Sequence, residues 1–282
     1  MLLFVDNLTN VDFSFLDPAR GIVGETWLAN IRLHGELDEQ SMVCDFGQVK
    51  KVARQWLDCE LDHRLAVPAQ SDRLRLIQTG GNLDIQWQLD SGETIELTCP
   101  AEAIALVDAA TLEPETVAGW CATQLMQAFD SPLEKLELDF STETIDGAYY
   151  HYSHGLKKHD GNCQRIAHGH RSRIDIWLNG HKAPQLEQQW AALWRDIYIG
   201  TQQDIVHTST TASQTYYDFA YDAPQGHFRL KVPRSMCYII NTDTTVECLA
   251  QHIATELSAE HPDANLRVRA YEGINKGAEA FR

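Results

Sequence analysis

The chain has 282 residues, 44% of them hydrophobic and 22% charged, the balance of a soluble globular protein long enough to bury one large or two ordinary cores. A formal net charge of -17 excludes nucleic acid or an anionic membrane surface as the general partner, because both require a basic footprint. No apolar run approaches membrane-spanning length, the start Met1-Leu2-Leu3-Phe4-Val5-Asp6 lacks the features of a signal peptide, and seven scattered cysteines show no disulfide framework, so a reducing cytoplasm is the expected location.

In chain order, residues 2–5, 11–16 and 25–33 have the pattern of strands, the last ending at His34-Gly35. Asp45 is placed to cap a helix whose apolar positions Val49, Val52, Ala53 and Trp56 recur at helical spacing, and which runs to about Leu61. Asp62-His63-Arg64-Leu65 follows it. The alternating runs 83–89 and 94–99 are joined by Asp90-Ser91-Gly92, a hairpin signal. Pro114 opens a second helix through Val117, Trp120 and Leu125 to Phe129, and residues 136–140 form a further strand.

The second half repeats this order. Residues 25–35 line up with 170–180, glycine on glycine at Gly35 and Gly180, and residues 94–100 line up with 227–233, proline on proline. The helix opened by Pro114 matches one around Thr245-Val246-Glu247-Cys248, and Glu143-Thr144-Ile145 matches Glu272-Gly273-Ile274. The chain is therefore expected to be a tandem duplication of one strand-strand-helix-helix-strand-strand unit, with units at residues 1–148 and 149–282 and no linker between them.

His168-Gly169-His170 stands at the mouth of a strand, where residues i and i+2 face the same side, so two imidazoles can be presented to one point. A third is available in Tyr149-Tyr150-His151-Tyr152-Ser153-His154, an alternating run able to pair antiparallel with the first through the loop 155–167. Three neutral imidazoles and one open position describe a catalytic zinc site. The loop carries Cys163 among basic residues that favour its thiolate. Where the second unit has His154, His168 and His170, the first has Phe15, Val23 and Glu25, so the first cannot hold the metal. The second has no counterpart of Asp62-His63 in its different middle segment, 183–208. If both pieces are used, they must meet across a contact between the units.

With these residues in view, Asp38, Met42-Val43-Cys44-Asp45-Phe46 and Leu61-Asp62-His63-Arg64-Leu65, taken with Ser153-His154, Cys163, His168-Gly169-His170 and Glu272, resemble the 6-pyruvoyl-tetrahydropterin synthase and 6-carboxytetrahydropterin synthase family. The resemblance covers nearly the whole chain, once per half. It implies an α+β fold, the tandem T-fold, in which antiparallel sheets with paired helices on the outer face assemble into a barrel, with active sites between units and a homo-oligomeric assembly. It also implies a zinc-dependent lyase acting on a small-molecule pterin, dihydroneopterin triphosphate or a relative. In that scheme Zn2+ is held by His154, His168 and His170, Cys163 acts with Asp62 and His63 in proton transfer, and Glu272, with its twin Glu143, anchors the pterin. Lys157, Lys158, Arg165 and Arg171 are candidates for the phosphates on charge and proximity. A zinc-containing pterin- or purine-binding protein without turnover is the alternative.

Overall fold

The computed structural model describes residues 1–130, 133–211 and 214–282. The first half begins with β1 (Leu2–Asp17) and β2 (Gly21–His34), followed by α1 (Phe46–Glu60), β3 (Leu65–Pro68), β4 (Leu74–Thr79), β5 (Asn82–Gln88), β6 (Thr94–Pro100), β7 (Ile104–Val107), α2 (Pro114–Leu125) and β8 (Lys135–Thr142). The second half runs β9 (Tyr149–His154), β10 (His168–Leu178), β11 (His181–Lys182), α3 (Pro184–Leu193), β12 (Ile197–Thr201), β13 (Ile205–Thr210), β14 (Thr215–Ala223), β15 (Gly226–Pro233), β16 (Cys237–Ile240), α4 (Val246–Glu260), β17 (Leu266–Tyr271) and β18 (Gly277–Phe281).

Each half builds its own sheet, β7-β3-β1-β2-β8 in the first and β16-β12-β9-β10-β17-β18 in the second, so equivalent strands occupy equivalent places. The long hairpins are antiparallel, but β3 and β7 run parallel to β1, and β12 and β16 parallel to β9. Within each unit the two helices are thus separated in the chain by a short strand, a three-stranded meander and another short strand. They meet again in space, Trp56 against Trp120 with ring centroids 5.7 Å apart. β1 is one strand where two were expected, because Asn7, at φ 49°, absorbs a register shift between Val5 and Thr9.

Helix α1 starts where Asp45 accepts from the Gln48 N–H and buries Val49, Ala53 and Leu57, spaced by four. With α2 it covers one face of the first sheet over Phe13, Trp27 and Ile31. Trp190, Trp194, Ile253 and Leu257 do the same for the second. Each such side chain, fully buried, contributes about 1.5–3 kcal/mol. The two meanders fuse into a third sheet, β13-β14-β15-β6-β5-β4, with its own core around Trp87, Leu97, Phe219 and Leu230.

The halves are joined about a pseudo-two-fold axis, since equivalent residues face each other. Leu97 pairs with Leu230 between β6 and β15, and the Ser14 and Ser153 hydroxyls hydrogen-bond at 2.7 Å. Beside the serines, the hairpins cross at Gly24 and Gly169. A Cβ on Gly24 would lie 1.8 Å from the Tyr152 carbonyl oxygen, and one on Gly169 would lie 2.7 Å from Gly24 Cα. Next to the crossing, His151 Nδ1 donates to the Gly24 carbonyl at 2.8 Å and stands 3.7 Å from Glu25. Burial lifts the Glu25 carboxyl from its ordinary 4.5 to about 7, only partly offset by the Thr26 N–H, Arg171 and Arg20.

Gly24→Ala should therefore cost about 2 kcal/mol or more, read as a lowered urea midpoint, and an unchanged midpoint would exclude the close crossing. Glu25 adds a pH dependence. A carboxyl whose pKa is raised on folding opposes the folded state once the unfolded chain ionises, so its contribution to stability is lost as pH rises from 4.5 to about 7. Glu25→Gln should flatten that slope by on the order of 3 kcal/mol between pH 4 and 8; identical slopes in both proteins would remove the buried carboxyl as its source.

Candidate metal centre

The β9–β10 pairing places His154 opposite His168 and Tyr152 opposite His170, so the three imidazoles share one face of a single hairpin. All three are at most 1% exposed, and their ligand atoms lie within 4.8 Å of one another. His154 Nδ1 is 3.0 Å from both the carbonyl and the hydroxyl oxygen of Thr244, and His168 Nδ1 is 2.9 Å from the Arg165 carbonyl. With the Nδ1 protons assigned to those carbonyls, the Nε2 atom of each ring is the bare one, and both are buried without a partner among the described residues. Among the described residues His170 finds no hydrogen bond for either nitrogen, with Nδ1 at 3.3 Å from Asp12 and Nε2 at 3.7 Å from Glu272. Burial, joined by the neighbouring imidazoles, holds His154 and His168 well below the usual histidine range, in the neutral form that ligates. Leaving such acceptors unmet costs about 1–3 kcal/mol each. A cation among them removes that cost, and the residues present fit one.

The first half supplies the other wall. After α1 the chain turns through His63 at φ 55°, and this turn is pinned to β1. His63 N–H donates to the Asp12 carbonyl at 2.7 Å, and Asp62 Oδ1 accepts the Asp12 N–H at 2.8 Å. Asp62 Oδ2 pairs with His63 Nδ1, and the His63 ring lies 5.1 Å from that of His168. Atoms of His63, Cys163 and His168 form a second group within 4.8 Å. Burial opposes a charge on His63, but Asp62 and Cys163 outweigh it and push the imidazole up to about 10. The Cys163 turn is buttressed by β14 and the turn that follows it, through Tyr221 donating to the Gln164 carbonyl at 2.8 Å and Gln225 donating to Asn162 at 2.9 Å.

The structure thus brings together His154, His168, His170, Cys163, Asp62, His63 and Glu272. It does not bring in Glu143, whose backbone oxygen accepts from Arg171 at 2.9 Å and whose carboxylate is 3.4 Å from Arg173. The candidate phosphate groups are also engaged elsewhere: Lys157 pairs with Asp204, Lys158 with Asp243 at 2.7 Å, Arg165 with Gln225 at 3.1 Å, and Arg171 lies over the Tyr149 ring. Across the pseudo-axis, Arg195-Asp196 takes the place of Asp62-His63, so the second half does carry a positional counterpart. Asp196 has φ 54° and binds Arg20 at 2.5 Å, an ion pair where the other side has imidazole and thiol. Sequence reasoning missed Asp12, Thr26, Thr244 and Lys276. Asp12 left the clearest signal, a lone acid within Val11-Asp12-Phe13-Ser14-Phe15-Leu16, a run apolar apart from it and Ser14.

A family model described as 6-pyruvoyl tetrahydropterin synthase matches the chain twice, over residues 12–142 and 144–282. A candidate 6-carboxy-5,6,7,8-tetrahydropterin synthase of Pyrococcus horikoshii is 23% identical over 128 residues, 45% of this chain and 73% of that protein. Among solved structures, the 6-pyruvoyl tetrahydropterin synthase of Plasmodium vivax is 20% identical, covering 50% of this chain and 90% of its own, with a TM-score of 0.41. That of Plasmodium falciparum is 17% identical over the same shares, with a TM-score of 0.40. Two matches that between them span almost every residue, meeting at the junction between the two sheets, decide the matter: the chain belongs to the 6-pyruvoyl tetrahydropterin synthase family and carries the family's unit twice.

Proposed function

We propose that the chain is a zinc-dependent pterin lyase acting on dihydroneopterin triphosphate or a related pterin, with one composite site per chain between the two repeats. The observation that carries this reading is the meeting of the buried, partnerless imidazole nitrogens of one repeat with the Asp62–His63 pair of the other. Three neutral imidazole donors converging within 4.8 Å suit zinc. When bound there by His154, His168 and His170, zinc supplies Lewis-acid polarisation of the substrate's side-chain hydroxyls.

The chain's own groups do the rest. Asp62, paired with Nδ1, orients the His63 ring and keeps it cationic, and that cation stands beside Cys163. Cys163 accepts a proton from the substrate, His63 gives one to the departing oxygen, and triphosphate leaves as the substrate's electron pair forms the new double bond. Glu272, beside His170, accepts bonds from the pterin N–H groups. Glu143, held by Arg171 and Arg173, has no place in this scheme.

Purified protein should contain about one zinc per chain, and the zinc-loaded protein incubated with dihydroneopterin triphosphate should release triphosphate, with acetaldehyde for a carboxy-type product. Cys163→Ala and His63→Ala should each slow release by about 10²–10⁴-fold while zinc content is retained. Tight pterin binding with no release from wild type would establish the binding protein and refute the lyase.

A further inference from the structure

Asp12 belongs to the repeat that has lost the metal ligands, yet it touches the metal centre twice. Its main chain holds the Asp62–His63 turn through the two hydrogen bonds at 2.8 and 2.7 Å. Its side chain, 5% exposed, lies on the other side. Oδ1 stands 3.3 Å from His170 Nδ1 and accepts from the Thr26 hydroxyl at 2.6 Å, while Oδ2 accepts from Lys276 at 2.9 Å. The strand end that carries Glu272 passes directly over this carboxylate. A Cβ on Gly273, at φ +69°, would come within 2.5 Å of Oδ1.

The contrast with the other ligands is informative. His154 and His168 are oriented by oxygens of their own repeat, Thr244 and the Arg165 carbonyl. His170 instead stands between two carboxylates, Glu272 of its own repeat at 3.7 Å from Nε2 and Asp12 of the opposite repeat at 3.3 Å from Nδ1. At the equivalent place across the pseudo-axis the roles are exchanged, since His151 of the second repeat faces Glu25 of the first. A carboxylate at the far nitrogen of a ligating imidazole fixes its tautomer and ring plane and raises its basicity.

We propose that Asp12 is a positioning residue of the metal centre, its carboxylate fixing the orientation of His170 so that the repeat without ligands contributes to metal affinity. The inference rests on the reading of His154, His168 and His170 as the zinc ligands. Thr26 and Lys276 hold the carboxylate in place, and the main-chain bonds of Asp12 to Asp62 and His63 do not depend on its side chain.

The test is zinc affinity by chelator competition, together with the visible absorption of the Co2+-substituted protein, at one pH. Asp12→Ala should weaken zinc binding by about 10–100-fold and displace the cobalt bands. Asp12→Asn keeps an oxygen acceptor and should recover part of the loss. Lys276→Met, a change at a half-exposed side chain, should displace the bands in the same direction and serves where Asp12→Ala fails to fold. Folded variants with wild-type affinity and unshifted bands overturn the role of Asp12 alone. A wild-type chain that binds neither zinc nor cobalt overturns both this role and the proposed function.

Discussion

The structure depends on one close crossing. Two hairpins can bring their backbones to van der Waals contact only where neither carries a side chain, and Gly24 and Gly169 provide that place, with the Ser14 and Ser153 hydroxyls closing the polar gap beside it. Because the hairpins meet there, β1 of the first repeat runs alongside β10 of the second. The consequence is positional: Asp12 reaches His170, and the turn that Asp12 holds brings His63 to His168 and Cys163. A side chain at either glycine would separate the walls of the site before it altered any residue of it.

Around that crossing the halves have diverged in chemistry but not in geometry. Asp196 adopts the same left-handed backbone as His63, at φ 54° against 55°, and occupies the same turn after a helix. On one side of the axis the turn carries an imidazole beside a thiol, and on the other a carboxylate bound to Arg20. The ion pair satisfies itself. Likewise an acid of the first repeat faces an imidazole of the second at both Asp12–His170 and Glu25–His151. One pair adjoins three bare nitrogens, whereas the other closes on the Gly24 carbonyl and leaves Glu25 protonated over much of the acid range. The same fold thus leaves imidazole nitrogens unmet on one side and pairs the corresponding groups with one another on the other.

How much of this the sequence carried follows from the range of each signal. The duplication was legible because glycines and prolines at strand ends are local requirements that survive divergence, and the imidazoles because i and i+2 in a strand must share a face. The short strands β3, β7, β12 and β16 were not, since runs such as Leu65-Ala66-Val67-Pro68 and Ile104-Ala105-Leu106-Val107 have no alternation to read. Their parallel pairing joins residues about forty to fifty positions apart. The basic loop residues misled for a related reason: a charge count gives the cation but not its partner, and Lys157 and Lys158 find theirs in Asp204 and Asp243, far along the chain. Asp12 was visible as an oddity, but its meaning lay in the other repeat.

The same geometry ties the candidate metal centre to the union of the halves. All three candidate ligands sit in the second repeat, so the ion's first contacts alone would not require the first. What the first repeat adds is burial and orientation: His63 covers His168, and Asp12 and its lysine partner, Lys276, flank His170. Imidazole nitrogens left unmet in so enclosed a place cost about 1–3 kcal/mol each, a sizeable part of the 5–15 kcal/mol that holds a typical domain together. Opening the contact between the repeats would let water meet them, so without a cation these nitrogens work against closure. With one bound, the same burial protects the coordination, and binding free energy becomes free energy of association between the repeats. With candidate ligands on one half and enclosing groups on the other, a cation held there would make its own binding and repeat docking a single equilibrium.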